Sequence, residues 1–468
     1  MMNAFLKAAG NSARAFQASA GKQVRLISHI DCDGMTSAAI LIRAFNRLSV
    51  SYSLSIVQQL NTQLLMEIAN DRAEVVVFSD LGSGQLGQIN GLLKNKQVFI
   101  LDHHEPLPDK PDENVYHLNP HLYGIDGGKA ISGAGVCYQF AKALDEKNRD
   151  AAHLAIIGAI GDVQEVNGFL PPNDAILQEA IAGKNMIVSR GLRFFGQQTK
   201  PLHKILEFST DPYIPDVSGS ESGAIQFLQQ LGINPKRGTG WKKIMHLTDK
   251  EQQSLIEGIV LKRDGMKTPE DILGNMYILP KERPESPFRE AREFSTLLNA
   301  CGRLNKASIG IGACLGDKKA KQRAMTNLVS YKRAIINGLR WYERQPNTSR
   351  HIFRGKGYVI INAEDNILGT IAGTMASILT KSGSLGDTLV ISMAQQMDNT
   401  TKVSLRKSGE NSFDLRDIVN RITALSGGES GGHANAAGAI IQTEHEDHFI
   451  SCAKDLLDKL LIEETISD

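Results

Sequence analysis

The chain has 468 residues, of which 41% are hydrophobic and 22% charged, so it is long enough for about two to four domains with ordinary apolar cores. Its 52 Lys and Arg residues balance 51 Asp and Glu residues, which gives a net charge of +1. This composition excludes a disordered or fibrous chain, and the balanced charge means that any contact with a polyanion depends on local basic patches or bound metal ions.

Residues 1–22 contain no acidic side chain, a composition that weakly resembles a transit peptide. An N-terminal helix docked on a domain is the favoured interpretation, because apolar residues repeat on one helical face. These residues are Met2, Phe5, Leu6, Ala9, Ala13 and Phe16.

Short β-rich runs alternate with helical patterns from residue 23 to about residue 200. The predicted strands are 24–28, 52–57, 74–80 and 97–102, and the predicted helices are 35–48, 62–70, 133–145 and 150–160. Such alternation is typical of a parallel sheet that is covered by helices on both faces. The sequence therefore predicts an α/β fold that begins with a doubly wound parallel-sheet domain over residues 1–200.

Residues 201–354 are predicted to form a helical connector with an inserted module, because proline and glycine interrupt helical segments without strand alternation. Strand-like runs return at 358–363, 388–393, 402–405 and 439–442, with helices at 367–380 and 415–422. A second, smaller α/β domain is therefore predicted over residues 355–468.

The five cysteines form no Cys-x-x-Cys pair, so neither a disulfide framework nor a zinc ribbon is predicted. This cysteine usage favours a reducing, cytoplasmic setting. The longest apolar runs, such as residues 154–160, are much shorter than the roughly 20 residues that cross a bilayer, so no membrane contact is predicted.

The sharpest local pattern is His29-Ile-Asp31-Cys-Asp33-Gly34, directly after the first predicted strand. Residues two apart on an extended chain point the same way, so His29, Asp31 and Asp33 should converge while Cys32 points to the other side. Gly34 should then permit a tight turn into the helix.

Further acids and histidines follow the next strands. Asp80 ends the third predicted strand, Asp102 ends the fourth and precedes His103 and His104, and Asp162 follows an apolar helix. Taken alone, Asp80 is better explained as a helix N-cap or turn residue and His103 as a structural histidine. Taken together, they should gather in one crevice, because ligands bind beyond the carboxyl ends of parallel strands.

Several carboxylates in one crevice require a counter-charge, since they otherwise repel and raise one another's pKa values. Acids with one or two imidazoles suit Mn²⁺ first and Mg²⁺ next, and they suit zinc less well. Two ions about 3.5 to 4 Å apart, bridged by a carboxylate, could activate water and stabilise a leaving oxygen. The predicted reaction is hydrolysis of a phosphoester.

These motifs, in this order, resemble those of the DHH phosphoesterase superfamily. The distal run Gly427-Gly-Glu-Ser-Gly-Gly-His-Ala-Asn-Ala-Ala-Gly438 resembles the DHHA1 substrate-binding motif. Within the superfamily the chain is most similar to archaeal RecJ-like single-strand nucleases.

The resemblance implies a role for each motif residue. It implies that the metal ligands are His29, Asp31, Asp33, Asp80, His103 and Asp162, with Asp80 as the bridge. It implies that His104 orients or protonates the phosphate region and that Asp102 braces the histidines.

In the C-terminal domain, residues 427–432 could by composition be only a flexible loop. The resemblance instead implies phosphate contacts across an interdomain cleft from Gly431, Gly432 and His433, and from the guanidinium of Arg406.

Two basic patches, at residues 236–243 and 318–323, are most simply solvated surface, although Trp241 beside lysines offers a platform for an unpaired base.

The leading functional prediction is a two-metal exonuclease on single-stranded DNA, with single-stranded RNA as a further candidate substrate, in replication or repair. One rival is a phosphodiesterase for oligoribonucleotides or cyclic dinucleotides, and the long middle region favours the polymer instead. The other rival is a replisome scaffold like the eukaryotic relative of RecJ, and the intact motif acids favour catalysis. The resemblance also implies GINS and the MCM helicase as candidate partners.

Overall fold

The computed structural model describes residues 1–209, 212–263, 272–346, 349–381, 385–408 and 413–467. The side chains of residues 381, 433 and 461–467 lie outside this description. The chain forms two compact units, Met1–Asn327 and Leu328–Asp468. The predicted three-part division at residues 200 and 354 stays a prediction beside these two units.

The first unit is built on a parallel sheet of five strands in the order β2-β1-β3-β4-β5. The strands are β1 (Val24–His29), β2 (Tyr52–Val57), β3 (Val75–Ser79), β4 (Gln97–Leu101) and β5 (Val115–Leu118). Val75 and Val77 pack into the core on one face, and Val76 and Phe78 pack into the core on the other. Burial on both faces explains why the central strands β3 and β4 are almost entirely apolar.

Helices cover both faces of this sheet, which confirms the predicted doubly wound domain. They are α1 (Met2–Gln17), α2 (Cys32–Arg47), α3 (Thr62–Ala69), α4 (Leu86–Leu92), α5 (Gly133–Leu144), α6 (Ala152–Gly161) and α7 (Pro171–Ala182). The predicted N-terminal helix is confirmed as α1, which buries Phe5, Ala9, Ala13 and Phe16, and only Leu6 of the predicted face is exposed. Phe16 stacks on Phe45 of α2 with 5.1 Å between ring centroids.

The rest of the first unit contains more strand than the predicted helical connector. Its elements are β6 (Ile187–Leu192), α8 (Leu202–Glu207), α9 (Glu221–Gln230), β7 (Lys236–Arg237), β8 (Gly240–Trp241), α10 (Asp249–Lys262), β9 (Leu273–Ile278), α11 (Ala291–Arg303) and α12 (Ala307–Cys314). The predicted helices are present, and the region also contains strands that were not predicted: β9 pairs antiparallel with β6, although its Leu-Gly-Asn-Met start shows no alternation. A separate apolar core lies between residues 192 and 272.

Helix α13 (Lys318–Glu343) continues from the first unit into the second. The second unit is a mixed six-stranded sheet in the order β10-β11-β12-β13-β15-β14, as expected for the smaller α/β domain. Its elements are β10 (Ile352–Gly355), β11 (Tyr358–Asn362), α14 (Gly369–Lys381), β12 (Leu389–Gln395), β13 (Thr400–Lys407), α15 (Leu415–Ser426), β14 (Glu429–His433), β15 (Ala436–Gln442) and α16 (Glu446–Ser467).

The glycine-rich run is part of this sheet. Glu429–His433 form the edge strand β14, paired antiparallel with β15, so the interpretation as a flexible loop was wrong. Gly432 has φ +130°, and a Cβ there would lie 2.5 Å from the carbonyl oxygen of Ala436. The glycine is therefore needed for the close approach of the two strands. Within the described ranges, none of the helices combines the length and the apolarity that crossing a bilayer demands.

Candidate metal centre

The predicted site residues of the first unit gather at one edge of the parallel sheet. His29 ends β1, Asp80 follows β3, and Asp102 and His103 follow β4, so three adjacent strands deliver them to the same edge. Asp162 reaches the same place from the end of α6. This is the carboxyl edge at which open α/β sheets bind ligands.

The path of the chain between β1 and α2 differs from the prediction. The strand ends at His29, Asp31 is the N-cap of α2 and accepts a hydrogen bond from the Gly34 amide at 3.0 Å, and Asp33 lies in the first helical turn. The predicted strand alternation through Asp33 was therefore wrong, because the cap ends the strand. Cys32 does point away from the acids, and its thiol donates to the carbonyl oxygen of Ile157 at 3.5 Å.

Asp80 lies between the two histidines. Its Oδ2 is 3.5 Å from Nδ1 of His29, and its Oδ1 is 3.2 Å from Nε2 of His103. Nδ1 of His29 is also 3.0 Å from Oδ2 of Asp31, and Nε2 of His103 is 3.7 Å from Oδ2 of Asp33. The two sides of the site therefore meet at one carboxylate.

Within the described part of the chain, three overlapping groups place one ligand atom per residue within 4.8 Å of one another. They are His29, Asp31 and Asp80; Asp33, His103 and Asp162; and Asp80, Asp102, His103 and His104. The structure thus brings together all the predicted ligands.

Asp80 is buried, with 2% of its surface exposed, yet neither of its carboxylate oxygens has a hydrogen-bond partner among the described residues. Asp80 is not a helix N-cap, the role expected of an Asp at a strand end when it is considered alone. Its backbone is left-handed, with φ +61°, and its backbone amide donates to the carbonyl oxygen of Leu101 at 2.9 Å. A buried carboxylate without donors is costly unless a cation lies beside it. This orphaned pair of oxygens therefore fits a divalent metal ion.

His103 has one ring nitrogen free for such an ion. Its Nδ1 lies 2.8 Å from the carbonyl oxygen of Gly127, so Nδ1 carries the proton and donates. The Nε2 lone pair then faces Asp80 and Asp33. Metal-ligating histidines are typically oriented in this way by a hydrogen bond from the other nitrogen.

Asp102 has no free carboxylate oxygen. Its Oδ2 accepts from the Ser83 amide at 2.9 Å, and its Oδ1 accepts from the His103 amide and from Nδ1 of His104, both at 2.8 Å. Burial opposes ionisation, but His104, His103 and these donors outweigh it and hold the pKa of Asp102 well below its usual range. Asp102 is thus placed to orient His104, whose side chain is 42% exposed.

Sequence reasoning missed the residues that hold Asp162. The Gln164 amide donates to Oδ2 of Asp162 and to the carbonyl oxygen of Gly127, both at 2.8 Å. Asn173 in turn donates to Gln164 at 2.8 Å. No motif in the local sequence marks these two side-chain amides as partners of Asp162.

The N-terminus of α5 holds Asp33 and was also missed. The amides of Gly133 and Ala134 donate to its two carboxylate oxygens at 2.6 and 3.0 Å. The helix dipole favours a negative charge at this position. The Ser132 N-cap signature marks the start of α5, but the pattern does not reveal that its amides reach Asp33.

The charges of the site are unbalanced when only protein atoms are counted. Burial raises the pKa of Asp33 well above its usual range, and repulsion from Asp80 adds to the shift. Burial also raises the pKa of Asp162 to about 6, with a further contribution from Asp80 that His103 opposes. For His29 and His103, burial acts to lower the pKa, but the neighbouring carboxylates prevail and raise it. When only protein atoms are present, bound protons on these aspartates and histidines therefore offset the negative charge of the site.

Metal uptake should consequently release protons and weaken in acid. Because Asp162 is protonated below about pH 6, we expect Mn²⁺ affinity to fall as the pH drops from 7.5 to 5.5. Calorimetric titration in buffers of different ionisation enthalpy counts the protons released. The Asp162→Asn variant should release fewer protons than the wild type. If the wild type released the same number of protons at pH 7.5 and at pH 5.5, the assignment of Asp162 as a metal ligand that binds a proton below about pH 6 would be contradicted.

Arg406 on β13 is hydrogen-bonded within the second unit, to helix α14 and to its own strand. Its Nε donates to Oγ of Ser377 at 3.0 Å, and its Nη1 donates to the carbonyl oxygen of Leu405 at 2.7 Å. Gly431 and Gly432 lie in β14, and the side chain of His433 is outside the described residues. Phosphate binding by these residues stays a prediction.

Three family models match the chain. The DHH family N-terminal domain matches residues 23–160, the DHH-CID domain matches residues 194–271, and the DHHA1 domain matches residues 356–459. The first and third agree with the resemblance of the motifs. The second covers part of the region that was predicted only as a connector.

Known proteins resemble the chain over different lengths. An uncharacterized protein of Methanocaldococcus jannaschii is 30% identical over 452 residues, which cover 94% of each chain. The single-stranded-DNA-specific exonuclease RecJ of Thermus thermophilus is 27% identical over 267 residues, which are 53% of this chain and 39% of that protein.

Solved structures share the fold at lower identity. RecJ of Thermus thermophilus in complex with Mn²⁺ has a TM-score of 0.58 at 17% identity, covering 97% of this chain and 55% of that chain. CDC45 of Entamoeba histolytica has a TM-score of 0.64 at 14% identity, and the match covers 95% of this chain and 98% of that chain.

Proposed function

The chain belongs to the DHH family, and from this premise we propose that it is a divalent-metal-dependent exonuclease that hydrolyses single-stranded DNA. The single observation that carries the proposal is Asp80, whose two unpartnered, buried oxygens face two separate sets of ligands. The names of the relatives favour single-stranded DNA as the substrate.

The donor set suits two Mn²⁺ ions, with Mg²⁺ as the alternative. It consists of carboxylate oxygens and imidazole nitrogens without thiolates, which hard divalent cations prefer. His29 and Asp31 would serve one side, Asp33, His103 and Asp162 the other, and Asp80 both. When bound, such ions activate water and stabilise negative charge on the leaving oxygen of a phosphodiester.

The protein's own contribution lies in orientation and proton supply. The 2.8 Å contact with Asp102 fixes the Nδ1 proton of His104 and leaves its Nε2 directed outward. Burial acts to lower the pKa of His104, but Asp102 prevails and raises it, so the imidazole keeps a proton that it can donate to a phosphate oxygen. We propose that His104 and, from the second unit, Arg406 contact the substrate phosphates.

A comparison of substrates tests the proposal. Purified protein with Mn²⁺ should degrade end-labelled single-stranded DNA much faster than a dinucleotide or pyrophosphate, and chelation by EDTA should stop the reaction. Single-stranded RNA belongs in the same series, because its phosphodiester offers the metal ions the same group as that of DNA. Fast cleavage of the dinucleotide with little action on polymer would favour the small-substrate phosphodiesterase. Metal binding without hydrolysis of any substrate would favour a scaffold that contacts GINS and the MCM helicase.

A further inference from the structure

A row of exposed aromatic rings interleaved with lysines lies in the region that matches the DHH-CID domain. We call it the aromatic strip, and it consists of Phe195, Lys200, Phe208, Lys204, Trp241 and Lys236. Phe195 and Trp241 are 40% exposed and Phe208 is 58% exposed. Single exposed rings are ordinary, but three rings with adjoining cations suggest a binding surface.

Lysine ammonium groups lie over each ring. Lys200 Nζ is 5.1 Å from the centroid of Phe195 and 5.3 Å from that of Phe208, so one lysine joins the two rings. Lys204 Nζ lies 5.5 Å from the Phe208 centroid, and Lys236 Nζ lies 5.3 Å from that of Trp241. These distances are typical of cation–π contacts at exposed sites.

The strip is continuous across its module. His203, which precedes Lys204 in α8, packs against Trp241 with 4.1 Å between ring centroids. His203 itself is buried, with 1% exposed, so it supports the indole from below. Glu221 contacts His203 at 3.5 Å and Lys204 at 2.9 Å, so the Trp241 ring and the Phe208 ring are neighbours around α8.

The segment that leads into the strip contacts the loop that follows Asp162. Asn167 of this loop accepts a weak hydrogen bond from Nη1 of Arg193 at 3.4 Å. Arg193 is two positions before Phe195 in the sequence. This contact joins the segment that carries Phe195 to the loop that follows a predicted metal ligand.

The charge around the strip is modest, which favours stacking over charge as the main attraction. Lys204 contacts Glu207 and Glu221 at 2.8 and 2.9 Å. The neighbouring lysines of the predicted basic patch are also paired, Lys242 with Glu251 at 2.5 Å and Lys243 with Glu285 at 2.8 Å. The patch is therefore not the uniformly basic track that its sequence suggests.

We propose that the aromatic strip binds unpaired bases of the substrate strand on its way to the metal centre, an inference that rests on the proposed exonuclease function. Each base would take a ring face, and the flexible lysine that covers the ring would move to the adjoining phosphate. Ring stacking with lysine contacts to phosphates is the usual mode of sequence-independent binding to single strands.

The tryptophans give a direct measurement of such stacking. The chain has two, Trp241 and Trp341, so in the Trp341→Phe variant the emission reports on the strip alone. Titration of this full-length variant with a 20-nucleotide oligothymidylate in EDTA, which prevents cleavage, should quench Trp241 saturably. Phe208→Ala in the same background should weaken binding about tenfold, as expected when one stacking ring is removed.

A matched control removes an exposed apolar side chain from the same module. Leu261 of α10 is 74% exposed and is not part of the strip, so Leu261→Ala should leave the dissociation constant unchanged. Replacement of Lys200, Lys204 and Lys236 by Gln should flatten the salt dependence by roughly 0.7 log unit for each phosphate that a lysine no longer neutralises. Equal binding by the Leu261 and Phe208 variants would overturn the proposal.

The two proposals fail in different ways. If wild-type protein degrades single-stranded DNA but the oligonucleotide does not quench Trp241, the strip is not a nucleic-acid surface and its rings serve a protein partner, while the exonuclease function stands. The oligonucleotide could instead quench Trp241 while the wild-type protein with Mn²⁺ does not hydrolyse it. The proposed exonuclease function would then be wrong, and the strip would remain a binding surface for single strands.

Discussion

Replacement of Asp80 by asparagine should abolish hydrolysis while the fold persists. Asparagine is nearly the same size and tolerates the left-handed backbone at φ +61°, so it removes the charge with little change of shape. Because both sets of ligands meet at this carboxylate, its loss should lower the rate by about a thousandfold or more, the equivalent of several kcal/mol of transition-state stabilisation. The measurement is single-stranded DNA hydrolysis with Mn²⁺, together with calorimetric Mn²⁺ binding.

Cys32→Ser is the matched control, because Cys32 lies between Asp31 and Asp33 in the sequence but its thiol points to Ile157. This variant should keep near wild-type activity. Circular dichroism of the metal-free Asp80→Asn protein should match that of the wild type, because asparagine keeps the size of the side chain and tolerates the left-handed backbone. A folded Asp80→Asn protein with near wild-type rates would contradict the shared metal site.

Replacement of Gly34 by alanine should be the most destabilising small substitution at the junction of β1 and α2. A Cβ on Gly34 would lie 2.3 Å from the carbonyl oxygen of His29 and 2.7 Å from its Cα, and these backbone atoms cannot rotate away. We expect a loss of about 3 kcal/mol in the free energy of unfolding, at the upper end for overpacking, together with weaker Mn²⁺ binding. Urea unfolding followed by circular dichroism measures the first effect.

Gly91 provides the comparison, because a Cβ there would meet no atom within 4 Å. Gly91 lies inside α4, so Gly91→Ala should stabilise by about 0.5 to 1 kcal/mol through helix propensity. Equal stability of the two alanine variants would show that Gly34 is not required for close packing.

The parallel sheet was predictable because its central strands β3 and β4 are buried apolar runs and its edge strand β2 alternates between apolar and polar residues. Strand β2 was predicted at its observed bounds, Tyr52–Val57. Strand β5, with the sequence Val-Tyr-His-Leu, was missed because it is short and carries polar residues, and its pairing with β4 defines it. Strand β14 was not predicted for a similar reason, since glycines have little strand propensity and the partner β15 determines its conformation.

The candidate site could be predicted in membership but not in detail. Motif residues at strand ends converge because adjacent parallel strands end at the same edge of the sheet, and this does not depend on the exact backbone conformation of each residue. The alternation argument for Asp33 was wrong because a local cap at Asp31 started the helix earlier than the periodicity indicated. Gln164 and Asn173 hold Asp162 through side-chain amide hydrogen bonds, and no sequence motif encodes such contacts.

The unpartnered carboxylate of Asp80 also bears on how long the protein survives in a cell. A ligand that binds only the folded state lowers the population of unfolded chains by mass action, and proteases act mainly on those chains. Metal scarcity should therefore shorten the half-life of the polypeptide in addition to stopping any metal-dependent activity. The supply of manganese or magnesium would then set the abundance of this protein through its turnover, without any change in the transcription of its gene.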